Sequence, residues 1–390
     1  MRVLLSAFIG SKNLGDEAIF AVLSEMIPNL LGADLTVLSI DLEKTRGHNL
    51  AEGTEVVEAS VPNFVKYLRR SDALLMGGGG IIQDESSVIN LLYYAMQTWV
   101  ARVLLRKQVF LVFVGVGPVT SRFGHWLLRR MANKISYSLV RDQESVDMLV
   151  DHGFRAENIA LAFDPVYNLP VSDDLTVSSG IDGDYILFCP RDWFFTKRYL
   201  PTRFALTQGK KDESSDLMAF RRELVVLVRR TLENHPDLSI LGIPFFLSQD
   251  AELLSWIRSQ LPAELQARLV IKPEYISPEE YVVLAKGSVG VLGMRLHSLI
   301  LGALSNRPMV PLIYSSKVRS MVAYLGLKGH STELRAPKFD VDATLVNLER
   351  SLGETTHPYS APLEHIADTN RAAAAEFFTT VRAKIESSAR

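Results

Sequence analysis

The stretch Gln108 to Val116 (QVFLVFVGV) sets the tightest limit on what this chain can fold into. A near-continuous apolar run of that kind, ended by Gly117-Pro118, reads as a strand buried on both faces. Parallel strands with helical crossovers provide such a setting, because the crossovers lay helices on both sides of the sheet. The neighbouring sequence fits. Val3–Ile9, Leu35–Ile40, Ala73–Met76 and Ser138–Val140 read as strands. Asp16–Leu31, Ile89–Leu105, Phe123–Ile135 and Glu144–His152 read as helices, and the sequence from Asp41 through Gly53 reads as a polar connection. Alternation of this kind implies a Rossmann-like parallel sheet.

The alternation resumes beyond a polar, Gly/Ser/Asp-rich segment, Val171–Asp184. Tyr185–Cys189, Ser239–Phe245, Leu269–Ile271, Ser288–Leu292 and Met309–Tyr314 read as strands. Leu217–His235, Gln249–Gln260, Pro278–Ala285 and Arg295–Leu304 read as helices, with a terminal helix at Leu363–Ser388. The expected fold is therefore α/β and GT-B-like, with two Rossmann-like domains whose parallel sheets face an inter-domain cleft. The divisions expected are 1–170, a linker at 171–184, 185–355 and a C-terminal helix in 356–390. A chain of 390 residues is long enough for each domain to bury its own core. Lys197–Asp216 is charged and aperiodic, a candidate lid.

Composition narrows the function. A formal net charge of −2 argues against nucleic acid as a partner. Cys189 is the sole cysteine, which excludes an internal disulfide and any cysteine-based metal site and fits a reducing cytoplasm. No metal-ligand spacing is visible. The opening MRVLLSAFIG reads as a core strand, since it runs into the polar Ser11-Lys12-Asn13 without a cleavage pattern. No apolar run approaches the roughly 20 residues of a membrane span. The expected location is the cytoplasm. Basic, aromatic-bearing helices at Trp99–Lys107 and Trp126–Lys134 read either as solvated faces or as a peripheral contact with anionic lipid at the membrane's inner face.

Residues with chemistry in them collect at the carboxyl ends of the expected strands, where open α/β sheets bind ligands. Gly293 stands at a strand-to-helix corner, followed within one helical turn by Arg295, His297 and Ser298, with Lys317 one strand later. A helix start with an Arg and a His makes a site for a phosphate or carboxylate beside a titratable group. The alternative is a solvated Arg and a His satisfying a core carbonyl. Asn13 and Asp16 lie in the glycine-bounded loop after the first strand. Gly78, Gly79 and Gly80 belong to a four-glycine run before Asp84. That run reads as backbone crowding either a ligand or a packed neighbour. Arg141 follows the Ser138–Val140 strand, Asp164 precedes a proline, and Arg191 stands between Pro190 and Asp192.

Together these segments resemble the polysaccharide pyruvyl transferase family. The resemblance rests on NLGDEAI (Asn13–Ile19), MGGGGIIQD (Met76–Asp84), GVGP (Gly115–Pro118), SLVRDQES (Ser138–Ser145), FDP (Phe163–Pro165), PRDW (Pro190–Trp193), GMRLHS (Gly293–Ser298) and YSSKV (Tyr314–Val318). Ser11-Lys12 and Pro190 depart from the family's usual pattern, the first on the acceptor side. The resemblance implies a GT-B-like fold and transfer of a pyruvyl group from phosphoenolpyruvate to two hydroxyls of a sugar, as a ketal. It implies a donor site of Arg141, Arg295, His297 and Lys317, to which Ser298 is added from its place in the helix start. The second domain then takes the donor and the first the acceptor, with Asn13, Asp16, Gly78, Gly79, Gly80, Asp84, Asp164 and Arg191 as cleft-lining or acceptor candidates.

A small donor with a phosphate and a carboxylate suits several converging cations. His297 is the expected acid/base, since the enol methylene must gain a proton as a sugar oxygen adds. Phosphoenolpyruvate serves as co-substrate, with no cofactor expected. The acceptor expected is a sugar of a cell-surface or exopolysaccharide precursor, either free or lipid-linked. A nucleotide-sugar glycosyltransferase of the same fold is the first rival, although SLILGALSNRPMVPLIY after His297 holds no acid for ribose hydroxyls. A non-catalytic glycan-binding module is the second.

Overall fold

The computed structural model describes residues 1–48, 50–84, 88–192, 215–335, 339–353 and 359–389. Trp193 and most of the candidate lid, 197–214, lie outside the described residues. The strands are β1 (Arg2–Ser6), β2 (Asp34–Ser39), β3 (Glu55–Glu58), β4 (Ala73–Ile82), β5 (Gln108–Val116), β6 (Tyr137–Val140) and β7 (Ile159–Leu161) in the first domain. In the second they are β8 (Tyr185–Cys189), β9 (Ser239–Gly242), β10 (Leu269–Ile271), β11 (Gly290–Gly293), β12 (Met309–Ile313) and β13 (Thr332–Glu333).

The first domain holds a seven-stranded sheet in the order β3-β2-β1-β4-β5-β6-β7, and the second a six-stranded sheet ordered β10-β9-β8-β11-β12-β13. Every strand pair is parallel. All of β5 except Gln108 is buried, as a central strand covered on both faces must be. The strand order reverses direction between β1 and β4 in one sheet and between β8 and β11 in the other. Those two reversals are the crevices where such sheets take ligands. The loops after β1, β8 and β11 all start there.

Three elements differ from the sequence reading. The stretch expected to be only a polar connection contains the helix Leu42–Arg46, and β3 and the helix Val61–Arg70 follow it. The helix Leu42–Arg46 and β3 are too short to declare a period, and both helices start at side-chain caps, Asp41 and Ser60, which accept from Lys44 and Asn63 backbone N–H groups. The strand expected to stop at Met76 runs on to Ile82, taking the glycine run into the sheet with a register shift between Gly79 and Ile82. Gly78 and Gly79 have φ of 74° and 77°, which explains why glycine is required in an otherwise buried strand. The helix Val88–Trp99 continues as a π-helical turn, Val100–Leu104.

One apolar core is continuous between the domains. It joins Leu5, Phe20 and Phe110 of the first to Leu187, Tyr281 and Leu299 of the second, and also takes in Phe377, Phe378 and Val381 of the terminal helix, Ser360–Ala389. That helix returns to the first domain and packs on the helix Leu14–Leu31. Burying each of these aromatic or aliphatic side chains is worth about 1.5–3 kcal/mol, enough to hold the helix there.

Candidate active site

The loop after β1 is fixed by Glu17, the second of its two acids. Glu17 is buried, and its Oε1 accepts from the backbone N–H groups of Gly10 and Ser11 at 3.0 and 3.1 Å. Its other oxygen meets His48 Nε2 at 3.2 Å, and Lys44 Nζ stands 3.4 Å from Oε1. Asn13 caps the helix Leu14–Leu31 and bridges to Phe246 of the second domain. Leu14 N–H donates to Phe245 O at 2.8 Å. The first helix therefore begins against the other domain, which leaves Asp16 facing the junction. Asp16 is only partly open to the cleft, and burial pushes its carboxyl up to about 6, against the opposing pull of His297 and Arg141.

Across that junction stands His297, in the first turn of the helix Leu296–Leu304. Arg295 is that helix's N-cap residue and makes no capping bond with its side chain. The His297 ring is clamped from two sides of the first domain. Its Nε2 lies 3.3 Å from Asp164 Oδ2 and 3.5 Å from Arg141 Nη1. On the other side a Cβ on Gly15 would fall 2.1 Å from Nδ1, so only glycine admits the ring there. Arg141 Nη1 donates to Asp164 Oδ2, and both side chains are buried. Burial alone would raise the Asp164 carboxyl, but Arg141 and His297 outweigh it and hold it well below the usual carboxylate range. Arg141 Nε is buried and has no hydrogen-bond partner among the described residues. It lies over Gly115, where a Cβ would come within 2.7 Å.

Asp164 is itself held in place. Asn370 of the terminal helix, fully buried, donates to Asp164 O at 2.9 Å and accepts from Phe163 N–H at 2.7 Å. Arg295 turns away from His297 to a two-pronged pair with Asp250, Nε to Oδ2 at 2.7 Å and Nη2 to Oδ1 at 2.6 Å. Burial works against the guanidinium's charge, and Asp250 more than offsets it, raising its pKa. Lys317 lies in the first turn of the helix Ser316–Tyr324 and crosses the junction to Gly117 O at 3.0 Å. A Cβ on Gly80 would lie 3.8 Å from its Nζ, and one on Gly79 would lie 2.7 Å from Asp16 Oδ1. The glycine run thus clears space for groups from both sides of the cleft. Gly78 instead packs on Ile19.

The remaining candidates stand apart from His297. The Ser298 hydroxyl is buried and donates to Arg295 O at 2.6 Å, which fixes the helix start. Asp84 accepts from Thr120 and Ser121 N–H groups at 2.7 and 2.8 Å and pins the segment after β5. Arg191 reaches Tyr314 through a 2.6 Å bond from Nη1 to the phenol oxygen and lies over its ring. Burial pushes the Cys189 thiol up to about 12, which removes it as a nucleophile. The structure therefore gathers Asp16, Arg141, Asp164 and His297 into one cluster, with Lys317 at the glycine run beside Asp16. The sequence reading missed Gly15, Asp250 and Asn370. Asp250 follows β9, so position alone could have flagged it. Asn370 lies on a terminal helix, where no local pattern points to a site.

The family model for polysaccharide pyruvyl transferases matches residues 13–316, most of the chain. The chain belongs to the polysaccharide pyruvyl transferase family. No curated protein matches it. Among solved structures it resembles UDP-GlcNAc 2-epimerase from Neisseria meningitidis bound to UDP-GlcNAc, with a TM-score of 0.60 and 11% identity over 98% of this chain and 100% of that one. S. aureus MnaA with UDP gives a TM-score of 0.60 and 10% identity over 92% of each chain. Anabaena HepE with UDP-glucose gives 0.56 and 13% over 99% of this chain and 98% of that one. Likeness at that identity shows a GT-B-like fold shared by a pyruvyl transferase family member and nucleotide-sugar-binding proteins.

Proposed function

We propose that this protein transfers the pyruvyl group of phosphoenolpyruvate to two hydroxyls of a sugar in a surface or exported polysaccharide precursor. One observation carries the reading: a helix start without a side-chain cap bears His297, whose ring is held by an Arg–Asp pair of the opposite domain. Uncapped helix N–H groups and the spare Arg141 Nε–H are suited to anionic oxygens. Lys317 adds a point charge. Arg295 is matched by Asp250, so on this reading it orients the helix start more than it neutralises the donor.

The chemistry then divides as follows. One sugar hydroxyl adds to the central carbon of the donor while the methylene carbon takes a proton and becomes a methyl. The proton of that hydroxyl passes to His297, and the bond from the central carbon to the phosphate oxygen breaks, its electron pair leaving with phosphate. The second hydroxyl closes the ketal, and its proton leaves with phosphate. His297 carries the proton to the methylene, and Asp164, kept ionised beside it, stabilises the imidazolium formed on the way.

The test is to incubate the protein with phosphoenolpyruvate and candidate free or lipid-linked sugars, following released phosphate and the ketal methyl signal. Release that depends on acceptor supports the proposal. Turnover only with a nucleotide sugar replaces it by glycosyl transfer, and glycan binding with no turnover by any donor replaces it by a recognition module.

A further inference from the structure

The helices Val88–Trp99 and Arg122–Ala132 pack side by side on one face of the first sheet. Leu91, Tyr94, Leu127, Leu128 and Met131 share a core with Leu74, Met76 and Leu111. Their outer faces therefore form one surface, which the π-helical turn extends. Large apolar side chains stand out from it: Met96 is 57% exposed, Leu104 58% and Trp126 50%, and Trp99, Val103 and Phe123 are similarly open. On each helix they recur at helical spacing, Met96, Trp99 and Val103 on one and Phe123 and Trp126 on the other. Phe123 and Trp126 stack at 5.7 Å, and Arg130 covers the Trp126 ring.

Charge is segregated to the same surface. Residues 88–107 and 119–134 contain seven Lys and Arg and no Asp or Glu, in a chain whose net charge is −2. The rest of the chain is therefore distinctly acidic. Apolar side chains standing out among cations, with no acid between them, match a surface of negative headgroups over hydrocarbon. A protein partner would need an acidic rim around an apolar centre, and nothing on this surface asks for that extra pattern. No helix among the described residues is long and apolar enough to cross a membrane, so contact would be from one side.

We infer that this two-helix surface docks the protein on an anionic lipid bilayer. The aromatic and aliphatic side chains enter the interface, and Arg106, Lys107, Arg122, Arg129 and Arg130 face the headgroups. The surface begins a few residues beyond Gly117, whose carbonyl receives Lys317, so one end of it adjoins the cleft. A sugar carried on a membrane lipid would be presented at that end. This consequence rests on the pyruvyl-transfer reading, whereas lipid docking does not.

Co-sedimentation of the full chain with phosphatidylcholine vesicles, and with mixed phosphatidylcholine and phosphatidylglycerol vesicles, tests the docking without any turnover. The expected result is partitioning onto the mixed vesicles that falls as salt rises. Each basic residue near the surface is worth about fivefold, so Arg129→Ser with Arg130→Ser should lower partitioning by more than tenfold. Phe123→Ser with Trp126→Ser should lower it as well, both variants keeping the wild-type melting transition. Failure to bind mixed vesicles, equal binding to neutral ones, or binding unchanged in both variants overturns the inference. A dimer that dissociates in the Phe123/Trp126 variant, without vesicle binding, overturns it in favour of a second copy on this surface.

Discussion

At the scale of single residues, the two acids of the first helix show how position divides chemistry. Glu17 is consumed by two backbone N–H groups and two basic side chains, so its charge is structural. Asp16, one residue earlier, faces His297 and is held at about 6 from an ordinary 3.8 by burial. Its folded-state pKa is raised, so the folded protein holds the extra proton at low pH and loses stability as pH climbs through that interval. Asp16→Asn abolishes this slope. Relative to wild type the variant should gain, between about pH 4 and pH 7, at most about 3 kcal/mol. Parallel denaturation curves at the two pH values would contradict the assignment. For His297→Ala the expectation is a kcat lowered by about 10²–10⁴ with the fold retained, and near-normal turnover would remove it from the mechanism.

At the scale of elements, the site depends on how closely two helix starts approach. Gly15 makes that approach possible. Gly15→Ala gains up to about 1 kcal/mol of helix propensity but places a methyl against a ring that Asp164 and Arg141 hold in place. Overpacking of this kind costs about 1–3 kcal/mol, so the net effect is destabilising and turnover should fall as the ring is displaced. A double-mutant cycle checks the cause, because most of the cost of Gly15→Ala should disappear in a His297→Ala background, which removes the ring but keeps a Cβ 3.0 Å from the new methyl. Additive effects would mean that the methyl clashes elsewhere.

At the scale of the whole molecule, the terminal helix is part of the site although it lies farthest from it in sequence. Asn370 ties that helix to both sides of the Phe163–Asp164 peptide segment. Asn370→Ala leaves a buried N–H and a buried C=O without their partner, a loss of about 2–4 kcal/mol, and frees Asp164 to drift from His297. Calorimetry should show the stability loss and kinetics a lower kcat. Full activity in a destabilised protein would limit Asn370 to a structural role. The sequence by itself determined the inner strands of both parallel sheets, because buried strands and amphipathic helices write their period locally, whereas the short edge strands β3, β7 and β13 do not. It also placed Arg141, Asp164, His297 and Lys317 at strand ends or helix starts, and their order within shared motifs carried the family. Only the tertiary structure decided which charges meet: Arg295 with Asp250, Arg141 with Asp164, and Asp164 with His297 across the domains. Such partners are set by which strand ends the two sheets bring face to face, and by a helix more than 200 residues away in sequence that fixes Asp164. A periodic pattern along the chain carries no information about either.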